Sequence, residues 1–268
     1  MSGEPVKVLT IAGSDSGGAA GLQADLKTWT ALGAYGMSVV TAVTAQNSVK
    51  VAGVQYLSVE FIMAQLEAVL TDYGAQAVKT GFMGQAGMIA AVSRRLKQFG
   101  PFHLVVDPVL VNHLGQPMFA EEVVQSYRRE LLPSANLITP NRHEAALLAG
   151  LPEETLQRVA GLRKAAEKLH LLGTPHVLIT CNREDDQMVD YWSDGKQFHR
   201  LPVPWIETEN QHGSGDTLSA AICAFLARGD AVGEAIIQAQ QFTARALNSA
   251  TTWRLGHGHG PLSHLTGK

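Results

Sequence analysis

The segment Asn210-Gln211-His212-Gly213-Ser214-Gly215-Asp216-Thr217-Leu218-Ser219-Ala220-Ala221 places two glycines and a carboxylate at the start of an apolar, helix-forming run. Unpaired N–H groups and the positive end of a helix would stabilise an anion there. Gly213, Ser214 and Gly215 are therefore candidate anion-binding positions. Asp216 would stand beside that anion and could accept a proton from an alcohol. The same aspartate also reads as a helix cap behind a turn, because Asp is a favoured capping residue. Spacing alone leaves both readings open.

Other polar clusters close strand-like runs: Gly13-Ser14-Asp15-Ser16-Gly17-Gly18, Gln46-Asn47, Asp107, and Thr139-Pro140-Asn141. Open α/β sheets bind ligands outside the carboxyl ends of their strands, so the shared position points to one crevice. Asp15 is expected to organise its own turn. His257, His259 and His264 lack a complete metal-ligand pattern, and Trp29 and Trp205 need no cofactor to account for them. Cys181 is expected on a strand and Cys223 inside a helix; neither is read as a nucleophile.

The elements that must position these groups alternate between short β-rich runs and helical patterns, which favours a parallel sheet covered by helices. Strands are expected at Val6–Ala12, Met37–Val43, Ala77–Thr80, Leu104–Asp107, Leu137–Thr139 and His176–Thr180. Leu22, Leu26 and Trp29 recur at helical spacing. Ser58 caps a helix whose face carries Val59, Ile62, Met63, Leu66, Val69 and Leu70. Further helices are expected near Ala86–Phe99, Leu156–Leu172, Asp216–Ala227 and Val232–Ser249. Asp194-Gly195 separates Met188–Ser193 from Lys196–Leu201, a hairpin signal.

No linker or repeat divides the 268 residues, so one domain over 1–268 is expected. The charged fraction of 17% lies below the roughly 25% of an average soluble protein, which argues against disorder. A formal charge of −3 offers no broad field for nucleic acid or an anionic membrane. No apolar run approaches a membrane span, and Val8–Ala12 is too short for a signal-peptide core. Two cysteines without a CxxC pair fit a reducing cytoplasm.

Over nearly its whole length the chain resembles the ribokinase-superfamily small-molecule kinases, and most of all the hydroxymethylpyrimidine/phosphomethylpyrimidine kinases of thiamine synthesis. The resemblance runs through Ala12-Gly13-Ser14-Asp15-Ser16-Gly17-Gly18, Gln23-Ala24-Asp25-Leu26-Lys27-Thr28 and Leu32-Gly33-Ala34-Tyr35-Gly36. It continues through Thr44-Ala45-Gln46-Asn47, Val106-Asp107-Pro108-Val109, Thr139-Pro140-Asn141 with Glu144, the Asp216 segment, and Gly256-His257-Gly258-His259-Gly260-Pro261. It implies a ribokinase-like three-layer α/β/α sandwich with a mostly parallel central sheet. The activity implied is phosphorylation of a hydroxymethyl group by ATP and Mg2+, usually followed by phosphorylation of the monophosphate.

Carried over by position, Gln46 reads the aminopyrimidine edge: its oxygen accepts from the exocyclic amine and its NH₂ donates to a ring nitrogen. Gly13, Ala20, Phe82 and Val109 help form the ring pocket. Asn141 and Glu144 match the pair near the metal and phosphates, with Asp107 a further candidate there. Asp216 is the base, and a homodimer is implied. Two other readings stand beside this one: a pyridoxal kinase, and a catalytically weak regulatory protein that binds a vitamin precursor.

The chain departs from the family pattern at three places. Asp216 replaces the usual Cys. Thr180-Cys181-Asn182-Arg183 replaces Lys-Gly-Gly-His, and His113-Leu114-Gly115 replaces Lys-Ser-Gly. A neutral alcohol needs deprotonation during attack, whereas a phosphate monoester is already ionised. Two unit charges about 4 Å apart repel by roughly 4 kcal/mol at an effective dielectric of about 20. The aspartate is therefore expected to favour the first phosphorylation over the second.

Overall fold

A computed structural model describes residues 3–112 and 114–265, and of Cys181 and Asn182 the backbone alone. His113, the first position of one departure from the family pattern, lies outside the described residues. The chain runs β1 (Lys7–Asp15), α1 (Gly21–Ala31), β2 (Tyr35–Gln46), β3 (Val51–Tyr56), α2 (Val59–Asp72), β4 (Ala77–Thr80), α3 (Ala86–Phe99) and β5 (His103–Val106). It continues with α4 (Glu121–Ser126), β6 (Leu137–Ile138), α5 (Arg142–Ala149), α6 (Val159–His170) and β7 (His176–Glu184). The last elements are β8 (Gln187–Ser193), β9 (Phe198–Pro204), α7 (Ser214–Ala227) and α8 (Val232–Ser249). The contacts divide it into two compact units.

The first unit comprises Met1–Met83, Pro101–His103 and Ile206–Lys268. Its strands lie in the order β3-β2-β1-β4. Strand β1 pairs in parallel with β2 on one side and β4 on the other, with Ile11 opposite Val39 and Thr80. A strand with neighbours on both edges is covered on both faces, and this is why Val8–Ala12 reads as a continuous buried run rather than an alternation. Ser58 accepts a hydrogen bond from the Phe61 N–H at 3.2 Å, and α2 buries Ile62, Leu66 and Leu70, as its spacing predicts. Helix α7 is buried from Thr217 to Leu226. The Trp29 indole N–H of α1 donates to the Ala220 carbonyl of α7 at 2.8 Å, so a core tryptophan sets the seat of the helix that carries Asp216.

The antiparallel strand β3 is not signalled in the sequence. It contains Ala52 and Gly53, is exposed through nearly its whole length, and is held by its ladder to β2. Burial cannot pattern a strand that buries so little.

The second unit comprises Gly84–Gly100 and Leu104–Trp205. Strands β5, β6 and β7 pair in parallel, and β7, β8 and β9 continue antiparallel. The Asp194-Gly195 turn is as expected: Gly195 has φ 82°, and Asp194 Oδ1 accepts from the N–H groups of Lys196 and Gln197. Helix α6 starts at Val159 rather than near Leu156, because Glu153–Gln157 forms a separate 3₁₀ turn. Helices α3 and α8 match their expected spans. Among the described residues no helix is long and apolar enough to cross a membrane.

Candidate active site

In the first unit the loop after β1 is built around Asp15. Its Oδ1 accepts from the Gly17 N–H at 2.8 Å, and its Oδ2 accepts from Ala19 and Ala20, each at 2.9 Å. Asp15 thus organises its turn, as its place in a Gly/Ser run suggests. Ala20 sits at the start of α1 on the last of these bonds. Gly13 lies under Phe82, where a β-carbon on residue 13 would stand 3.1 Å from Phe82 Cδ1. Phe82 is fixed by Thr41 Oγ1 donating to its carbonyl at 2.6 Å and by stacking on Tyr56.

Gln46 ends β2 with its backbone locked to Ser16. Its N–H donates to Ser16 Oγ, and its carbonyl accepts from the same hydroxyl, both at 2.8 Å. Its side-chain Nε2 lies 2.9 Å from His212 Nε2, and that ring nitrogen lies 3.8 Å from Asp15 Oδ2. His212 immediately precedes the Gly-Ser-Gly-Asp turn, so it ties the ring-reading candidate to the anion-binding candidate. Sequence reasoning did not single it out, although it stands inside the motif.

Gly213 has φ 87°, and a β-carbon on it would come within 1.9 Å of the Ala19 carbonyl oxygen. Only glycine permits that approach, and it places the β1 loop against the start of α7. The Ser214 N–H bonds back to the Gln211 carbonyl. The amides of Gly215 and Asp216 lie in the first helical turn, where no intrahelical acceptor is available. A β-carbon on Gly215 would meet nothing within 4 Å, so this turn faces open space. The structure therefore brings Gly13, Ala20, Gln46, Phe82, Gly213, Ser214, Gly215 and Asp216 into one unit, most of them linked by direct contacts.

Asp216 is not a simple cap. Its Oδ1 accepts from the Lys79 ammonium of β4 at 3.1 Å, and its side chain keeps 16% of its surface exposed. Lys79 is fully buried and also bonds Asp25 Oδ1 of α1 at 2.5 Å; Asp25 Oδ2 accepts from Thr10 Oγ1 at 2.6 Å. Burial first, and the Asp216 charge against the opposing pull of Lys79, push the Asp25 carboxyl up to about 7. Lys79 went unnoticed in the sequence because Ala77-Val78-Lys79-Thr80 reads as an ordinary buried strand with one stray cation. Cys223, further along α7, is buried, and that burial raises its thiol well above the usual range. It is an inert core residue, as expected.

In the second unit the remaining candidates gather at the ends of β5 and β6. Asn141 caps α5, accepting from the N–H groups of His143 and Glu144 at 2.9 and 3.1 Å. Glu144 answers by accepting from the Asn141 N–H through Oε2 at 3.0 Å, and its Oε1 accepts from the Leu110 N–H at 3.0 Å. This reciprocal capping box holds the loop containing Val109 to α5. The Val109 N–H donates to the Asp107 carbonyl at 3.1 Å. Glu144 is buried; that burial, then the charge of the also buried Asp107, raises its carboxyl to about 8. Two buried carboxylates in each other's field suit a divalent cation, which would relieve both.

The family model for phosphomethylpyrimidine kinase matches residues 15–263. The hydroxymethylpyrimidine/phosphomethylpyrimidine kinase of Bacillus subtilis (strain 168) is 41% identical over 98% of this chain and 96% of its own length. A Bacillus subtilis pyridoxal kinase solved as an ADP complex has a TM-score of 0.90 at 36% identity, over 97% of this chain and 98% of that one. The solved phosphomethylpyrimidine kinase of Clostridium difficile 630 has a TM-score of 0.80 at 36% identity, over 90% of this chain and 99% of that one. These likenesses establish the ribokinase-like fold. With the motifs arranged as described, the chain belongs to the phosphomethylpyrimidine kinase family.

Proposed function

We propose that the chain transfers the terminal phosphoryl group of ATP to the hydroxymethyl group of 4-amino-5-hydroxymethyl-2-methylpyrimidine, in the cytoplasm. The observation that carries this reading is Asp216. It is a partly exposed carboxylate in the first turn of α7, behind a glycine turn pressed against the Ala19–Ala20 backbone. Asp216 takes the hydroxyl proton as the substrate oxygen bonds to phosphorus and the bond between that phosphorus and ADP breaks. The amides of the Gly213–Asp216 turn stabilise charge on the transferring group. Gln46 reads the amine-bearing edge of the ring, while Gly13, Ala20 and Phe82 shape its pocket.

The carboxylate of Asp107, together with Glu144 and its capping partner Asn141, would serve the magnesium side of the reaction. Mg2+ there supplies charge neutralisation on the ATP phosphates. Glu144 has both oxygens engaged by backbone N–H groups. Magnesium binds through few carboxylates plus phosphates and water, so it needs no dense ligand cluster. We assign the two compact units to one catalytic domain over 1–268, working as a homodimer.

The test is ADP formation with the pyrimidine alcohol, its monophosphate and pyridoxal, for the native chain and for Asp216→Asn. The expected result is magnesium-dependent turnover highest on the pyrimidine alcohol and lost in the variant. Preference for pyridoxal would select the activity that the Bacillus subtilis structure's name describes. Tight pyrimidine binding without turnover would select a binding protein.

A further inference from the structure

Asp216 belongs to a buried charge cluster that no phosphate or ring contact requires. Lys79 lies with no solvent exposure between two carboxylates, at 2.5 Å from Asp25 Oδ1 and 3.1 Å from Asp216 Oδ1. Its three anchors come from different elements: Lys79 from β4, Asp25 from α1 and Asp216 from α7. Thr10 of β1 holds the other Asp25 oxygen. A buried ion pair is a costly way to gain stability, since apolar replacements of similar size are often neutral or better. A lysine shared between a core aspartate and a site aspartate therefore calls for a role beyond packing.

We propose that Lys79 and Asp25 are positioning residues for the Asp216 base: Lys79 holds Asp216 by Oδ1 and leaves Oδ2 for the substrate hydroxyl, while Asp25 shares the ammonium and keeps it from binding the base too tightly. The inference rests on the reading of Asp216 as base. With both carboxylates ionised the cluster carries one net negative charge in a poorly solvated place. The proton taken from the alcohol removes that charge and leaves a neutral Lys79–Asp25 pair beside a neutral carboxyl. Other groups in this field are His264 from the C-terminal segment, which feels the charges of Lys27 on α1 and of Asp216, and Cys223 on α7, which feels Asp25 and Lys79.

The experiment compares kcat, KM and the pH profile of ADP formation for the native enzyme, Asp25→Asn, the double variant Lys79→Met/Asp25→Asn, and Asp216→Asn. In Asp25→Asn the ammonium turns wholly to Asp216, so the acid limb of kcat should move down by about one pH unit, with kcat falling roughly 10-fold. KM for the pyrimidine alcohol should stay within about 2-fold, because an interaction made in the transition state moves kcat alone. The double variant, which leaves no charge in the fully buried part of the cluster but strips Asp216 of its cation, should lose roughly 10- to 100-fold in kcat and shift the limb the opposite way.

An unmoved acid limb in folded variants, with kcat lowered only in step with the folded fraction, overturns the positioning role. A measurement on the intact chain needs no variant: lysine-selective ¹⁵N NMR should show one ammonium, slow to exchange, whose shift follows the acid limb of the native profile. An ammonium that shows no such titration overturns the proposal as well. Full turnover by Asp216→Asn would instead sink the base assignment, so the two failures are distinguishable.

Discussion

Gly213 and Ala19 approach so closely that the glycine hydrogen on residue 213 occupies the space next to the Ala19 carbonyl oxygen, where a β-carbon would stand at 1.9 Å. This contact joins the β1 loop to the start of α7, and with it the proposed ring pocket to the proposed base.

Gly213→Ala should therefore be among the most damaging single changes in the chain. The positive φ alone costs on the order of 1–3 kcal/mol for a residue with a side chain, and the overlap with Ala19 adds to it. Denaturant unfolding should show a loss of at least that size, with ADP formation reduced beyond detection. Native stability with native turnover would mean the turn relaxes freely.

The carboxylate at 216 predicts an unequal pair of reactions. Asp216→Cys should improve the ratio of the second phosphorylation to the first, because it removes a fixed negative charge facing an anionic acceptor. Lys79 at 3.1 Å offsets part of that charge, so a change of about 10-fold in the ratio is a reasonable scale, corresponding to about 1.4 kcal/mol. Steady-state rates on the alcohol and on its monophosphate decide the matter. An unchanged ratio would count against the repulsion argument.

His212 should govern substrate binding rather than chemistry. Its bond to the Gln46 side chain holds the amide in place. Losing one such hydrogen bond is worth about 0.5–1.5 kcal/mol, so His212→Ala should raise KM for the pyrimidine alcohol by roughly 2- to 10-fold. The change in kcat should be smaller. Isothermal titration with the alcohol gives an independent reading of the same loss.

His264 gives the fold a pH dependence of known sign. It is buried against Thr217, with Nε2 at 2.9 Å from Oγ1, and burial lowers its ring from 6.5 to about 4. Between those values the unfolded chain binds a proton that the native one refuses, so this contribution is present above pH 6.5 and is lost as pH falls through 4. It amounts to about 3 kcal/mol at most. Urea unfolding at pH 7.5 and pH 4.5 should show a smaller acid loss for His264→Gln than for the native chain. Equal losses would show that His264 is not the group responsible.

The sequence carried most of the parallel strands and long helices in plain view, because β1 and α7 are buried in runs and α2 buries one face at helical spacing. It concealed β3, an exposed strand held mainly by backbone pairing, and the short α4, where too few turns exist to show a period. Within the site, Asn141 could be read two ways from its position. The structure displays it as a cap, a role that local spacing encodes; its link to phosphate chemistry depends on atoms that spacing does not describe. Lys79 escaped notice because its meaning lies in partners 54 and 137 residues away.

The Asp15 turn has a consequence for where a nucleotide can be gripped. The glycine-rich bend Gly13–Gly18 looks in its letters like a natural cradle for phosphate. Yet the peptide hydrogens of Gly17, Ala19 and Ala20 are claimed by the Asp15 carboxylate, and that of Gly18 by the Asp15 carbonyl. The cradle comes with its own anion already seated, so an incoming phosphate must be greeted elsewhere, and the Gly213–Asp216 bend has amides to spare for it.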